Sequence, residues 1–216
     1  MNQTNLSSRQ RILLFLAVAA AALLAAHLLD HWTYLYIAYY HAGRYTTVDG
    51  MDWARFLRSL GYLPLWLAGA LALCLNAWPR IQKEDWRVVM RPAYLLALTP
   101  TIAGALDELT KLVVRRERPN AHAGAYVFRP FTDHPFSSSG LGFPSSHAAV
   151  AFGAAFILCR LWPRAWPVWI ILAVGCALTR ILDRAHFLSD VTGGLLVAYA
   201  TTWALWHATS PRDPIS

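Results

Sequence analysis

Three short stretches of this 216-residue chain carry side chains suited to gripping a phosphate: Lys111–Pro119 (KLVVRRERP), Pro144–His147 (PSSH) and Thr179–Asp190 (TRILDRAHFLSD). Lys111, Arg118 and Arg180 are permanent cations that bind phosphate oxygens through charge-assisted hydrogen bonds, the arginines as bidentate forks. Lys111 and Arg118 stand seven residues apart, two helical turns, so a continuing helix points them the same way until Pro119 ends it. Asp107 and Glu108 precede Lys111 by one turn, where a carboxylate can hold its ammonium. Ser145, Ser146 and His147 open an apolar segment; a helix N-terminus offers free N–H groups and a partial positive charge to an anion, and Ser145 and Ser146 can cap the helix or donate to phosphate oxygens. His186 and Asp190 share a face four residues apart. A carboxylate on one ring nitrogen makes the other a better nucleophile, and such an imidazole can attack phosphorus to give a phosphohistidine. His147, protonated, can donate to the leaving oxygen and then take a proton from water.

Each stretch alone has a plainer reading. The Lys111–Arg118 run fits a basic membrane flank, and Pro144–His147 fits an ordinary helix cap. His147, His186 and Asp190 also leave a metal site open, although three neighbouring cations repel a divalent ion and suit an anionic transition state. The expectation is therefore metal-free, cofactor-free chemistry at phosphorus. His27, His31, His41, His122, His134 and His207 have no matching partners in the sequence and are expected at interfaces or in solvent. Cys74, Cys159 and Cys176 lie inside apolar blocks without C-x-x-C spacing, which argues against a disulfide framework or zinc.

The elements that must position these groups are apolar and long. The chain is 56% hydrophobic and only 14% charged, with the apolar residues in blocks, which favours membrane spans over a water-soluble core. Six segments stand out: 12–29, 62–78, 93–114, 148–162, 166–182 and 187–206. At 1.5 Å per residue such lengths reach roughly 22–35 Å, on the scale of a bilayer core. The first is expected to stay as an anchor rather than act as a signal peptide. Between the first two, His41–Gly61 carries apolar residues at the spacing of a short interfacial helix. The net charge of +7 lies between apolar blocks, with no Lys/Arg-rich tail, so nucleic acid is not an expected partner. Loop charges, Arg44 and Arg212 among them, mildly favour a cytoplasmic 80–91 loop.

With helix directions alternating, the ends of the third and fifth segments and the starts of the fourth and sixth meet at one membrane face. Those four ends carry every candidate site residue. The reading is one membrane-embedded domain over 1–216, an all-α polytopic bundle of six transmembrane helices.

K-x6-R-P, P-S-x-H and R-x5-H-x3-D, in this order, resemble the three-part signature of the type 2 phosphatidic acid phosphatase superfamily, over roughly 107–194. Its membrane branch consists of lipid phosphate phosphatases. The resemblance implies Lys111, Arg118 and Arg180 as phosphate ligands with Ser145, His186 as nucleophile, Asp190 as its orienting partner and His147 as general acid. It implies no metal, and a site facing the periplasm or exterior of a bacterial inner membrane. Ser146 replaces the usual glycine of P-S-G-H, adding a side chain within the phosphate pocket, and Thr179 replaces a usual serine. Lipid phosphates are then the expected substrates: undecaprenyl diphosphate, phosphatidylglycerol phosphate, phosphatidic acid or lipid A phosphates. Tyr126, Phe128, Phe131, Phe136 and Phe143 are expected to shield the opening, and Arg115, Arg116 or Arg129 to select headgroups. A phosphotransferase with the same intermediate and a non-enzymatic anion carrier are the rival readings.

Overall fold

The computed structural model describes residues 7–41 and 48–210. Arg44 and Arg212 lie outside them, as do residues 42–47 of the stretch expected to form an interfacial helix. Among the described residues seven α-helices follow in order: α1 (Ser8–His41), α2 (Asp52–Ser59), α3 (Leu63–Ile81), α4 (Trp86–Val114), α5 (Ser146–Leu161), α6 (Trp166–Leu182) and α7 (Leu188–Ala208). All six apolar segments fold as helices, and α2 forms where the interfacial helix was expected. Among the described residues no strand forms; two isolated bridges, Arg116 with Phe128 and Glu117 with Leu141, tie down the long loop between α4 and α5. Helices are the natural form here because each satisfies its own backbone hydrogen bonds without water.

Three of the helices, α1, α4 and α6, are long and apolar enough to cross a membrane; α2 and α3, bent by 60° at their junction, make a fourth if taken as one broken span. The fold is therefore all-helical with three to four candidate spans. α5 has only 16 residues and the composition of a core helix. Its Ala148, Ala149, Ala151, Ala154 and Ile157 are buried while α4, α6 and α7 pack around it. Small residues let these backbones come close, which is how helices associate where lipid removes the hydrophobic drive. α1 lies against α7 and exposes Leu13, Leu16, Leu24 and Leu28 outward.

Two glycines record close approaches that position the site. A Cβ on Gly194 of α7 would come within 2.5 Å of the Ser145 carbonyl oxygen, and one on Gly61 within 2.7 Å of the His147 Cβ. Any side chain at either position would push away the start of α5, where Ser145 and His147 stand.

Candidate active site

α4 ends where Arg115 turns into the left-handed conformation (φ 58°), its N–H bonding the Lys111 carbonyl at 2.8 Å. The chain then runs back past the starts of α5 and α7. Paired backbone bonds hold it there: Glu117 N to Val127 O at 2.9 Å, Arg118 N to Gly140 O at 3.1 Å, and Gly142 N to Arg116 O at 2.7 Å. At the other edge, Ser145 N donates to the Asp190 carbonyl at 2.9 Å, and His186 N donates to the Arg180 carbonyl at 3.2 Å. The ends of α4 and α6 and the starts of α5 and α7 are thereby stitched into one cluster.

His186 is 3% exposed. Its Nδ1 lies 2.9 Å from the Gly142 carbonyl oxygen and 3.6 Å from Asp190 Oδ2. The expected orienting carboxylate is thus near the ring, but the hydrogen bond goes to a backbone carbonyl. The reason is that Asp190 is already engaged. Its Oδ2 accepts from Phe187 N at 2.7 Å, closing the first turn of α7, and its Oδ1 binds Arg116 Nη2. With both acceptors on the Nδ1 side, Nε2 is left for another atom. Burial lowers the basicity of His186, Asp190 partly offsets this, and the Arg118 and Arg180 charges push in the same direction as burial.

Lys111 is almost buried and bonds Glu108 Oε1 at 2.6 Å and the Ser146 hydroxyl, which itself bonds Glu108. Of the two carboxylates expected to steady Lys111, Glu108 does so. Both Asp107 oxygens are buried without a hydrogen-bond partner among the described residues. Ser146, expected as a phosphate donor, instead has its hydroxyl engaged by Lys111 and Glu108. Arg118 Nε, Ser145 Oγ and His147 Nε2 are likewise buried without a hydrogen-bond partner there. Arg180 pairs with Asp183 at 3.5 Å. The charged groups acting on His147 are Arg180, His186, Arg58 and Lys111, so the expected residues do gather around one locus. Among the described residues no cluster of His, Cys, Asp and Glu has the arrangement of a metal site.

Several expectations about the surrounding loop are corrected. Arg115, 1% exposed, is a loop staple: it donates to the carbonyls of Arg129 (3.0 Å), Pro130 (2.9 Å), Pro135 (3.3 Å) and Asp133. Arg116 is buried against Asp190, and Arg129 is held by Glu117 at 2.9 Å, so none of the three is free to select a headgroup. Glu117 also binds His122, and these partners hold its carboxyl below the usual range. His122 and His134 thus have local partners, Glu117 and Asp133, that the sequence did not reveal. The aromatic shield divides. Phe128, Phe131 and Phe136 are exposed, Phe143 packs on Arg116 at 4.9 Å, and Tyr126, still exposed at one edge, packs on the same guanidinium at 5.3 Å.

The sequence reading also missed Gly142, whose carbonyl carries no side-chain signature, and Tyr62, whose ring meets His147 edge-on at 5.2 Å. Asp30 was missed too, although a lone carboxylate inside the long α1 was a usable signal.

Comparison with known proteins bears on this cluster directly. The sequence model of the PAP2 superfamily matches residues 89–214, which include all of the cluster's motif residues. The chain belongs to the PAP2 superfamily. PAP2 relatives include the decaprenylphosphoryl-5-phosphoribose phosphatase of Mycobacterium tuberculosis, 36% identical over 146 residues that cover 68% of this chain and 70% of the relative. A lipid A 1-phosphatase of Rhizobium etli is 38% identical over 107 residues, 48% of this chain and 44% of that protein. The chain spans less than half the length of the lipid A 1-phosphatases it matches. The crystal structure of a transmembrane PAP2-type phosphatidylglycerolphosphate phosphatase from Bacillus subtilis superimposes with a TM-score of 0.63 at 18% identity, covering 95% of this chain and 96% of that one, so the two share a fold.

Proposed function

We propose that this PAP2 protein is an integral-membrane lipid phosphatase working through a phosphohistidine, without a metal. His186 Nε2 attacks phosphorus as the bond to the leaving oxygen breaks, and His147 gives that oxygen its proton. Water then attacks the phosphohistidine, losing a proton to His147, and inorganic phosphate leaves with His186 restored. Lys111, Arg118, Arg180 and Ser145 bind the phosphoryl oxygens; Ser146 steadies Lys111. Their donors act where negative charge is shared over the equatorial oxygens, the setting in which fixed electrostatics contribute most.

The observation that carries this reading is the arrangement of His186: its Nδ1 is taken by the Gly142 carbonyl at 2.9 Å, which leaves Nε2 as the nucleophile beside Arg118 and Arg180. The relatives are named for phosphates on lipid A and on decaprenylphosphoryl-5-phosphoribose, which supports a phosphomonoester on a lipid-borne group as substrate. In this reading the chain is a single membrane-embedded catalytic unit of six spans in a bacterial inner membrane, with α3, α5 and α7 completing the count and the site at the outer face.

The test is inorganic phosphate release by purified protein, with chelator present. The substrates are phosphatidic acid, phosphatidylglycerol phosphate, undecaprenyl diphosphate, lipid A and decaprenylphosphoryl-5-phosphoribose. Release from at least one is expected. Transfer of label to a second lipid would make the protein a phosphotransferase, loss of activity with chelator would restore the metal reading, and release from none would overturn the proposal.

A further inference from the structure

Asp30 lies on α1, outside the residues matched by the family model, and it is 1% exposed. It accepts hydrogen bonds from Ser189 N at 2.8 Å, from the Ser189 hydroxyl, and from Tyr126 Oη at 2.9 Å. Arg116 Nη1 stands 3.9 Å away. The same guanidinium donates through Nη2 to the Ser189 hydroxyl at 2.7 Å and to Asp190 Oδ1. Three rings enclose it, Tyr126, Phe143 and Phe187, with centroids at 5.3, 4.9 and 5.3 Å. Arg116 also reaches His186 by its backbone, because its carbonyl holds Gly142 N at 2.7 Å and the Gly142 carbonyl holds His186 Nδ1.

We infer that Asp30 and Arg116 are positioning residues of the catalytic histidine, and that α1 is part of the catalytic apparatus rather than only a membrane anchor. This rests on the phosphohistidine reading. Docking α1 would not by itself call for buried charge, since apolar residues of similar volume pack as well or better than a buried ion pair. The charges make sense in terms of the reaction. With His186 neutral, Asp30, Asp190 and Arg116 sum to one negative charge. When Nε2 becomes phosphorylated and Nδ1 keeps its proton, the ring turns cationic and the cluster becomes neutral. Arg116 alone would neutralise Asp190; Asp30 offsets Arg116 and leaves Asp190 able to stabilise the charged ring. Tyr126 stays a donor to Asp30, its ionisation opposed by burial and by that carboxylate.

The test is a double-mutant cycle in the full-length protein, reading phosphate release from dioctanoyl phosphatidic acid in detergent micelles. Turnover is normalised to the phosphohistidine trapped by alkaline quench. Arg116→Gln is expected to lower kcat about 100-fold, the scale of a misplaced reacting group, and Asp30→Asn about tenfold, with KM unchanged in both. The double variant should be no worse than Arg116→Gln alone, because the two act through one another. Asp30→Asn should also move the acid limb of kcat/KM to lower pH, since it removes negative charge near His186. The charged groups acting on that ring are Asp190 on α7, Arg180 on α6, Arg118 from the loop and His147 on α5; Arg116 stands behind Asp190, and Asp30 on α1 lines the same small cavity as His186. Losses that multiply, fall in KM, or come with an unmoved acid limb would overturn the inference and leave a purely structural contact. If the unaltered protein released phosphate from no lipid, the phosphatase reading would fail separately. The inference would then be judged on the nitrogen-15 NMR titration of the His186 ring, where an unmoved midpoint in Asp30→Asn overturns it.

Discussion

Arg116 and Arg118 are two residues apart on the same loop, yet they belong to different regions. Around Arg115, Arg116 and Arg129 the cations are met by protein acceptors: loop carbonyls, Asp190 and Glu117. Around Arg118, Ser145 and His147, buried polar atoms are left with no such partner. Burying an unpartnered polar group costs on the order of 1–3 kcal/mol, so a fold keeps such groups only where something else benefits. In the proposed reading the closed arginines hold the loop or, in Arg116, position His186, whereas the open polar atoms around Arg118 are available to an anion. Residue type does not distinguish the two, and neither does position along the chain.

The sharpest way to break this contrast is to remove the proposed nucleophile. His186→Ala should lower phosphate release by about 10⁴-fold or more while insertion and thermal unfolding stay near normal, as when a member of a catalytic triad is lost. Appreciable residual turnover would assign the chemistry elsewhere. Next comes the open side of the contrast: Arg118→Ala should cost about 10²–10³-fold in kcat, the scale of losing one transition-state donor.

On the closed side, Arg115→Ala should act on stability instead. Losing a charged staple that holds several carbonyls is expected to cost about 3 kcal/mol, seen as a lower thermal midpoint, with turnover per folded molecule changed only a few-fold. A catalytic collapse at unchanged stability would erase the distinction between the regions.

The pH profile sharpens the contrast further. Burial, with Arg118 and Arg180, holds His186 below its ordinary value of 6.5, so it stays neutral and nucleophilic under mildly acidic conditions. The acid limb of kcat/KM should therefore lie below 6.5, with activity lost as pH falls through the lowered value. Arg118→Gln removes a cation and should move the limb upward. The smallest effect is expected for Ser146→Gly, which restores the usual residue and frees Lys111 from one of its two side-chain partners. A change of about threefold in kcat/KM, measured on phosphatidic acid, would fit a hydroxyl that only steadies a neighbour.

Much of the architecture was legible because apolar blocks and helix ends are local signals. The boundaries of α6 agree with the apolar run 166–182 and α5 starts just after Pro144, but α4 ends at Val114, short of the expected stop at Pro119, so Arg118 lies on extended backbone and not on the helical face of Lys111. The number of spans was less legible, since length and apolarity do not tell a lipid-facing helix from one buried among others, as α5 is. Site residues with paired spacing, such as His186 and Asp190, could be found because a helical turn fixes their separation. The Gly142 carbonyl could not, because every residue carries one.

The sequence by itself determined the helical elements, the order of the three motifs and the charges available at their ends, since each depends on neighbours within a few turns. Only the tertiary structure decided which arginines face protein acceptors and which do not, and that Asp30 of α1 reaches the cluster around His186. Those outcomes depend on contacts between residues from 12 positions apart, as in Arg129–Glu117, to 159, as in Asp30–Ser189, and no pattern within a helical turn or two encodes them.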